Sequence, residues 1–285
     1  MNRLKSVFIT AFMMLLVAAL GHAGVMLFQR GPNAVAWLGV ALAATANLGF
    51  FVWLFTSDSA RTSERLSPLL AATAAGGLLT VWGVVGSPEH AKVLPVLYAG
   101  LTVIGCLLYV FWYSQLGRAD NLHLKVAAPL PRFELEDVAG ATVDSSQFLG
   151  KPALLLFFRG NWCPLCMAQI REIAAQYREL DQRGIQVVLI SPQPHENTRE
   201  LAAKFSVPFR FYVDRDNRAA EKLGILARNG LPAGLQAQGY DSDTVFPTVV
   251  MTDASGTIVF ADLTDNYRLR PEPETFLRVA DQLSR

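Results

Sequence analysis

Charge and cysteine are what this sequence has least of. Of its 285 residues, 17% are Asp, Glu, Lys or Arg, against about 25% in an ordinary soluble chain. The shortfall is confined to residues 1–117, which carry nine charged side chains, whereas residues 118–285 carry the other 40. Two physically different pieces therefore meet near residue 118. No basic cluster occurs and the formal net charge is +1, which argues against nucleic acid as a partner. Three cysteines are too few for a disulfide-stapled scaffold. No internal repeat or low-complexity tract is evident.

What the first piece has instead is long apolar runs. Val7 to Phe28, Ala34 to Thr56, Pro68 to Gly86 and Val93 to Leu116 contain no Asp, Glu, Lys or Arg and run 19 to 24 residues each. At 1.5 Å per residue the shortest reaches roughly 28 Å, close to the hydrocarbon thickness of a bilayer. Residues 1–117 are thus expected to be an all-α region of four transmembrane helices, with the lipid bilayer as partner. The first run has the flanks of a secretory signal, Arg3 and Lys5 ahead and Gly21-His22-Ala23 behind. Its apolar stretch is longer than a signal core, so an uncleaved helix is expected. The small residues Ala71 to Gly77 predict close helix–helix approach.

Polar groups in these runs are expensive if they face lipid, so His22 and Asn47 are expected against neighbouring helices. Cys106 is the one thiol there. A transmembrane thiol relay needs two sulfurs, so it is expected to be a small buried apolar residue. Orientation follows from Lys and Arg in the short connections. Arg3 and Lys5, Arg61 and Arg65, and Arg118 and Lys125 outnumber Arg30 and Lys92 on the opposite side. The count places both ends, and the second piece, on the cytoplasmic face.

Residues 118–131, with Asp120-Asn121 and Ala127-Ala128-Pro129-Leu130-Pro131, read as an extended linker. Beyond it strand and helix patterns alternate. Phe133 to Val138 alternates apolar and polar before Gly140, which predicts a hairpin. Ala153 to Phe158 is a continuous apolar run, the mark of a strand covered on both faces. Helices are predicted over 164–182, 196–205, 217–223 and 272–283, and strands over 185–190 and 209–213. Residues 224–244 read as an irregular insertion. Strands 245–251 and 257–261 make a closing hairpin around Asp253-Ala254-Ser255-Gly256. Such alternation predicts a layered α/β domain with helices on both faces of its sheet.

The chemistry-bearing residues lie in one stretch, Phe157-Phe158-Arg159-Gly160-Asn161-Trp162-Cys163-Pro164-Leu165-Cys166. A buried strand ends, a short turn follows, and a helix begins at a cysteine. Unpaired amide N–H groups and the dipole at a helix N-terminus favour negative charge, lowering a thiol pKa from ~8.5 into the range of about 3.5 to 7.5. Cys163 is therefore the expected nucleophile. Pro164 suits the first helical position. Cys166, three residues on, shares a helix face with Cys163, so the two sulfurs can close a disulfide and form a redox couple. Arg159 either adds positive charge near the thiolate, or contacts an oxidised substrate, or is an exposed loop arginine. Trp162 either shields the sulfur at the rim or simply packs. Zinc would need four ligands, and the domain has no second Cys-x-x-Cys and only His123 and His195, far apart in sequence. Neither metal nor cofactor is required by this chemistry.

At these residues the sequence resembles a known family. Arg-Gly-Asn-Trp-Cys-Pro-Leu-Cys after an apolar strand is similar to the Arg-Gly-x-Trp-Cys-Pro-x-Cys signature of peroxiredoxin-like proteins of the alkyl hydroperoxide reductase/thiol-specific antioxidant (AhpC/TSA) family. The likeness extends to Ser191-Pro192, Phe209 to Gly224, Phe246-Pro247-Thr248 and Asp265 to Pro273. It implies a thioredoxin fold over residues 132–285, with Cys163 peroxidatic and Cys166 resolving. It also implies that Pro247 is a cis-proline facing the dithiol and shaping the substrate groove. The peroxiredoxin pattern Pro-x-x-x-Thr/Ser-x-x-Cys is departed from, since Leu156 and Gly160 stand at its Pro and Thr/Ser positions. Peroxide turnover is accordingly expected to be slow, while thiol–disulfide exchange needs only thiolate, leaving group and access.

The implied function is a membrane-anchored thiol–disulfide oxidoreductase with peroxiredoxin-like antioxidant activity. Its partners would be a peroxide or disulfide substrate and a small thiol or protein dithiol reductant. The alternative is a non-catalytic thioredoxin-fold binding module whose membrane helices carry the main function.

Overall fold

The computed structural model describes residues 2–29, 33–85 and 89–283, the side chains of 89–91 excepted. Arg30, used in the charge count, and Gly86, the end of the third apolar run, lie outside the described residues. The chain divides into two compact units: residues 4–57 with 62–115, and residues 1–3 and 58–61 with 116–285.

The first unit is helical, with α1 at Asn2–Phe28, α2 at Ala34–Thr56, α3 at Ser67–Gly83 and α4 at Glu89–Leu108. A π-helical turn over Tyr109–Tyr113 continues α4. Three helices, Asn2–Phe28, Ala34–Thr56 and Lys92–Tyr113, are long and apolar enough to cross a membrane, while α3 is shorter at 17 residues. The small residues of α3 permit the predicted close approach. A Cβ added at Gly76 would lie 2.7 Å from the Gly39 carbonyl oxygen of α2, so backbone meets backbone there. Asn47 is fully buried and donates to Thr73 Oγ1 at 2.9 Å. His22 lies 3.4 Å from the Tyr98 hydroxyl and packs on the Trp37 ring. Cys106 is buried, with the Thr73 hydroxyl 3.6 Å from its sulfur. Both polar residues therefore face protein, and the lone thiol sits among packed side chains.

The second unit is built on a seven-stranded mixed sheet. Its strands are β1 at Glu134–Asp137, β2 at Thr142–Asp144, β3 at Ala153–Phe157, β4 at Gln186–Ser191, β5 at Arg210–Val213, β8 at Thr248–Thr252 and β9 at Ile258–Asp262. The remaining two, β6 at Leu226–Ala227 and β7 at Thr244–Val245, pair only with each other. The sheet order is β2-β1-β5-β4-β3-β8-β9. The central β3-β4-β5 ladders are parallel and the flanking ones antiparallel. Side chains alternate across a strand, and β3 is buried on both sides. Leu154 and Leu156 join one core with Leu189, Ile170, Val249 and Phe276. Leu155 and Phe157 join the opposite core with Val188, Ile190, Val250 and Ile258.

The helices are α5 at Pro164–Ala175, α6 at Tyr177–Gln182, α7 at His195–Lys204, α8 at Arg218–Lys222 and α9 at Pro273–Leu283. Two predicted elements are divided. The single helix expected over 164–182 breaks at Gln176 (φ −96°, ψ 8°), and Tyr177 beyond the break packs against the Phe209 ring. The strand expected over 245–251 is interrupted at Phe246-Pro247, where proline has no N–H to give to a ladder. The segment 224–244, expected to be irregular, contributes β6 and a 3₁₀ turn at Leu235–Gln238. The segment 118–131 is extended but not free. Ala127 N–H donates to the Ile258 carbonyl, Leu130 N–H donates to the Gly256 carbonyl, and Leu124 is buried in the second core.

Candidate active site

β3 delivers the chain to the site. Its last residues are sealed in both cores, so the turn at Arg159–Trp162 must emerge at the strand's C-terminal end, where open α/β sheets place their ligand crevices. Cys163 (φ −92°, ψ 105°) is the N-cap of α5, with Pro164 in its first turn. The Cys166 N–H points at Cys163 Sγ, 3.3 Å away. The two sulfurs are joined in a disulfide, with Cα atoms 5.3 Å apart. Both cysteines are almost wholly buried, Cys163 at 3% and Cys166 at 1% exposure. An attacking group must therefore enter through the surrounding loops.

The turn is held from three directions. Gly160 has φ +141°, and a Cβ there would lie 2.9 Å from Trp162 Nε1 and 3.2 Å from a Tyr240 ring carbon. Only glycine fits that conformation and that gap. The Asn161 N–H donates to Gln193 Oε1 at 2.9 Å, and the Asn161 amide donates to the Asn197 carbonyl at 3.0 Å. Arg159 stacks its guanidinium 4.5 Å from the Trp162 ring centroid and donates to the Gly230 carbonyl. Arg159 is thus a half-buried strut, and Trp162 is half-buried against the core that contains the dithiol.

Pro247 differs from what the resemblance implies. No cis peptide bond occurs among the described residues, so its bond is trans, the form X–Pro prefers by about 0.5–1 kcal/mol. Its carbonyl is bound by the guanidinium of Arg118, which also donates to Thr248 Oγ1 at 3.1 Å and lies over the Phe246 ring. Burial pulls the Arg118 pKa down to about 10, against the opposing pull of Asp262 and Asp265. Arg118 remains a cation at neutral pH.

A second cation comes closer to sulfur. Arg270 is 9% exposed, with Nη2 3.9 Å from Cys166 Sγ. Its Nε has no hydrogen-bond partner among the described residues. Burial lowers its pKa to about 10; Asp262 opposes that shift, while the charges of Arg118 and Arg159 add to it. The charges of Arg118 and Arg159 both reach Arg270, alongside the opposing charge of Asp262. An opposite charge within about 4–6 Å favours a thiolate. Arg270 is placed to stabilise Cys166 as the leaving sulfur when the disulfide opens. Replacing Arg270 by methionine is expected to raise the pH at which Cys166 is alkylated in the reduced protein by about one unit. A pH profile of iodoacetamide labelling, with Cys166 resolved by peptide mass, reads this directly.

Gln193 and Arg270 carry no individual signal in the sequence, and Arg118 carries only that of a basic residue after the fourth apolar run. Arg270 lies in the Asp265–Pro273 segment of the resemblance, yet nothing in its spacing told that it returns to the dithiol from more than a hundred residues away.

This arrangement, a dithiol at a helix N-terminus on the C-terminal edge of a mixed sheet, defines a thioredoxin-fold, peroxiredoxin-like domain. Residues 126–261 match the model of the AhpC/TSA family. Among curated proteins, the chain is 30% identical over 110 residues to the chloroplastic peroxiredoxin Q of Sedum lineare, covering 38% of this chain and 59% of that protein. It is 27% identical over 141 residues to peroxiredoxin Bcp of Escherichia coli (strain K12), covering 49% of this chain and 86% of the relative. The chain spans about half the length of the plant relatives it matches, between 44 and 59% for the first three. Among solved structures, peroxidoxin BcpB of Mycobacterium tuberculosis aligns with a TM-score of 0.46 at 17% identity, covering 56% of this chain and 99% of that one.

Proposed function

We propose that the chain is a membrane-anchored thiol–disulfide oxidoreductase with hydroperoxide-reducing capacity, in which Cys163 attacks and Cys166 resolves. The observation that carries this reading is the Cys163–Cys166 disulfide at the start of α5, with the Arg270 guanidinium beside one of its sulfurs. Three helices of membrane-crossing length and composition support anchoring; the Lys/Arg count supports a cytoplasmic redox domain with the shorter α3 as a fourth crossing.

In the peroxide reaction the Cys163 thiolate attacks one oxygen of the O–O bond. The leaving alkoxide takes a proton to become an alcohol, or water when the substrate is hydrogen peroxide, and Cys163 becomes a sulfenic acid. The Cys166 thiol then attacks that sulfur, forming the disulfide and releasing water. Two electrons from a small thiol or a protein dithiol return the pair to the reduced state. In disulfide exchange the Cys163 thiolate attacks a substrate disulfide, releasing one substrate thiol and forming a mixed disulfide; Cys166 then attacks Cys163 Sγ, closing the Cys163–Cys166 bond and releasing the second substrate thiol.

The test is a titration of the fully reduced, full-length protein in detergent micelles with hydrogen peroxide. The expected result is that each equivalent of peroxide consumes both the Cys163 and Cys166 thiols and leaves Cys106 free. Peroxide that oxidises neither, or Cys106 alone, overturns the reading.

A further inference from the structure

Arg61 comes from the connection between α2 and α3, and residues 58–61 of that connection belong to the same compact unit as the dithiol. The segment is seated there. Ala60 is wholly buried, Ser59 Oγ donates to the Arg61 carbonyl at 2.8 Å, and Asp58 Oδ1 lies 2.9 Å from Arg171 Nε of α5. The Arg61 guanidinium then reaches three groups. Its Nη2 lies 2.5 Å from Glu172 Oε2 and donates to the Pro271 carbonyl at 3.2 Å, while Nη1 lies 2.8 Å from Glu272 Oε2. The Arg61 and Glu172 side chains are each 21% exposed, so this pair is better shielded from water than an ordinary surface ion pair.

These partners belong to the two elements that meet at the redox centre. Glu172 and Cys166 share α5, six residues apart or about 9 Å along the helix axis. Pro271 directly follows Arg270, whose Nη2 is 3.9 Å from Cys166 Sγ. Arg61 thus cross-links the helix that carries the sulfur to the segment that carries its cation. That segment has few other means of being held, because Pro271 and Pro273 have no N–H to donate and Arg270 Nε has no hydrogen-bond partner among the described residues. A planar guanidinium with donors in a fixed fork can serve a carboxylate and a carbonyl together, which a lysine ammonium on a flexible stem does less well.

We infer that Arg61 is a positioning residue for the redox centre, tying α5 to residues 270–272 and so fixing the Arg270 guanidinium against Cys166 Sγ. The inference rests on the oxidoreductase reading above. In the step it serves, a reductant thiolate, from a small thiol or a protein dithiol, bonds to Cys163 Sγ. The Cys163–Cys166 bond breaks, and its electron pair stays on Cys166 as a thiolate facing Arg270. The other charged or titratable groups acting at the Arg270 end are Asp262, Arg118, Arg159 and Tyr267. Those around the clamp are Asp58, Arg171, Glu172 and Glu272.

The test is the pH profile of Cys166 alkylation in the reduced, full-length protein, for Arg61→Ala, for Glu172→Ala, and for each combined with Arg270→Met. Both single changes are expected to raise the alkylation midpoint by about half a unit, as Arg270 drifts from sulfur. Glu172→Ala is the sharper variant. Losing a negative charge on α5 would by itself stabilise the thiolate and lower the midpoint, so a rise can come only through positioning. Alanine also keeps α5 helical, so this variant informs even if Arg61→Ala does not fold. In the Arg270→Met protein neither change should move the midpoint further, since a residue that acts through another has no effect once that other is gone. An unmoved midpoint in either folded single variant, a fall with Glu172→Ala, or a full shift in the Arg270→Met background overturns the inference. The oxidoreductase reading falls separately, when peroxide oxidises neither Cys163 nor Cys166.

Discussion

Cys163→Ser is expected to lower peroxide consumption and disulfide-reporter reduction by roughly a thousandfold or more, the scale on which enzymes lose activity when a covalent nucleophile is removed. Serine keeps the N-cap oxygen, so α5 should start where it does now and stability should change by less than about 1 kcal/mol apart from the lost cross-link. That separation makes the experiment informative, because a folded but inactive variant assigns the loss to sulfur chemistry. Cys166→Ser should behave differently. Cys163 can still attack, but no neighbouring thiol resolves the product, so one equivalent of peroxide should leave a sulfenic acid on Cys163, trapped by dimedone and seen by mass. A Cys163→Ser protein with wild-type reporter reduction would refute the nucleophile assignment. A Cys166→Ser protein that turns over at the wild-type rate would refute local resolution.

Much of this site was legible because its logic is local. A run of buried apolar residues at 153–158, a short turn, then Cys163-Pro164 at a helix start is a sequence of constraints that each act within a few residues. The structure places the cap and the first helical proline where those constraints demand. What escaped was non-local or conformational. Arg270 reaches Cys166 and Arg118 reaches Pro247 across a separation of more than a hundred residues, and no periodicity encodes such a return. The sequence marks Arg118 only as a basic residue after the fourth apolar run, whereas its guanidinium is seated over Phe246. The break at Gln176 is hidden for a related reason, since Tyr177 beyond it packs on the Phe209 ring in three dimensions. The helical unit shows the same division. Small residues in α3 announced close packing, but only the structure pairs Gly76 with Gly39 and Thr73 with Asn47.

Gly160→Thr tests whether glycine at the Thr/Ser position of the peroxiredoxin pattern is an omission or a consequence of the loop. By that pattern alone a threonine here would restore the matching residue, and a gain of peroxidase activity would follow. The geometry predicts the reverse. At φ +141° a β-branched residue is strained by about 1–3 kcal/mol before any contact is counted. The new Cβ would also lie 2.9 Å from Trp162 Nε1 and 3.0 Å from its Cδ1, so the indole must move. Arg159 is stacked on that indole, and Cys163 follows it in the chain, so the displacement reaches the nucleophile. A misplacement of the order of 1 Å costs about a hundredfold in rate. We therefore expect Gly160→Thr to lower the denaturation midpoint and to slow both peroxide consumption and reporter reduction by tenfold or more. Gly160→Ala should change each in the same direction by less. Faster peroxide turnover by the threonine variant at unchanged stability would show that the turn opens to admit the hydroxyl. The close packing of Trp162 and Tyr240 on Gly160 would then not be what limits the chemistry.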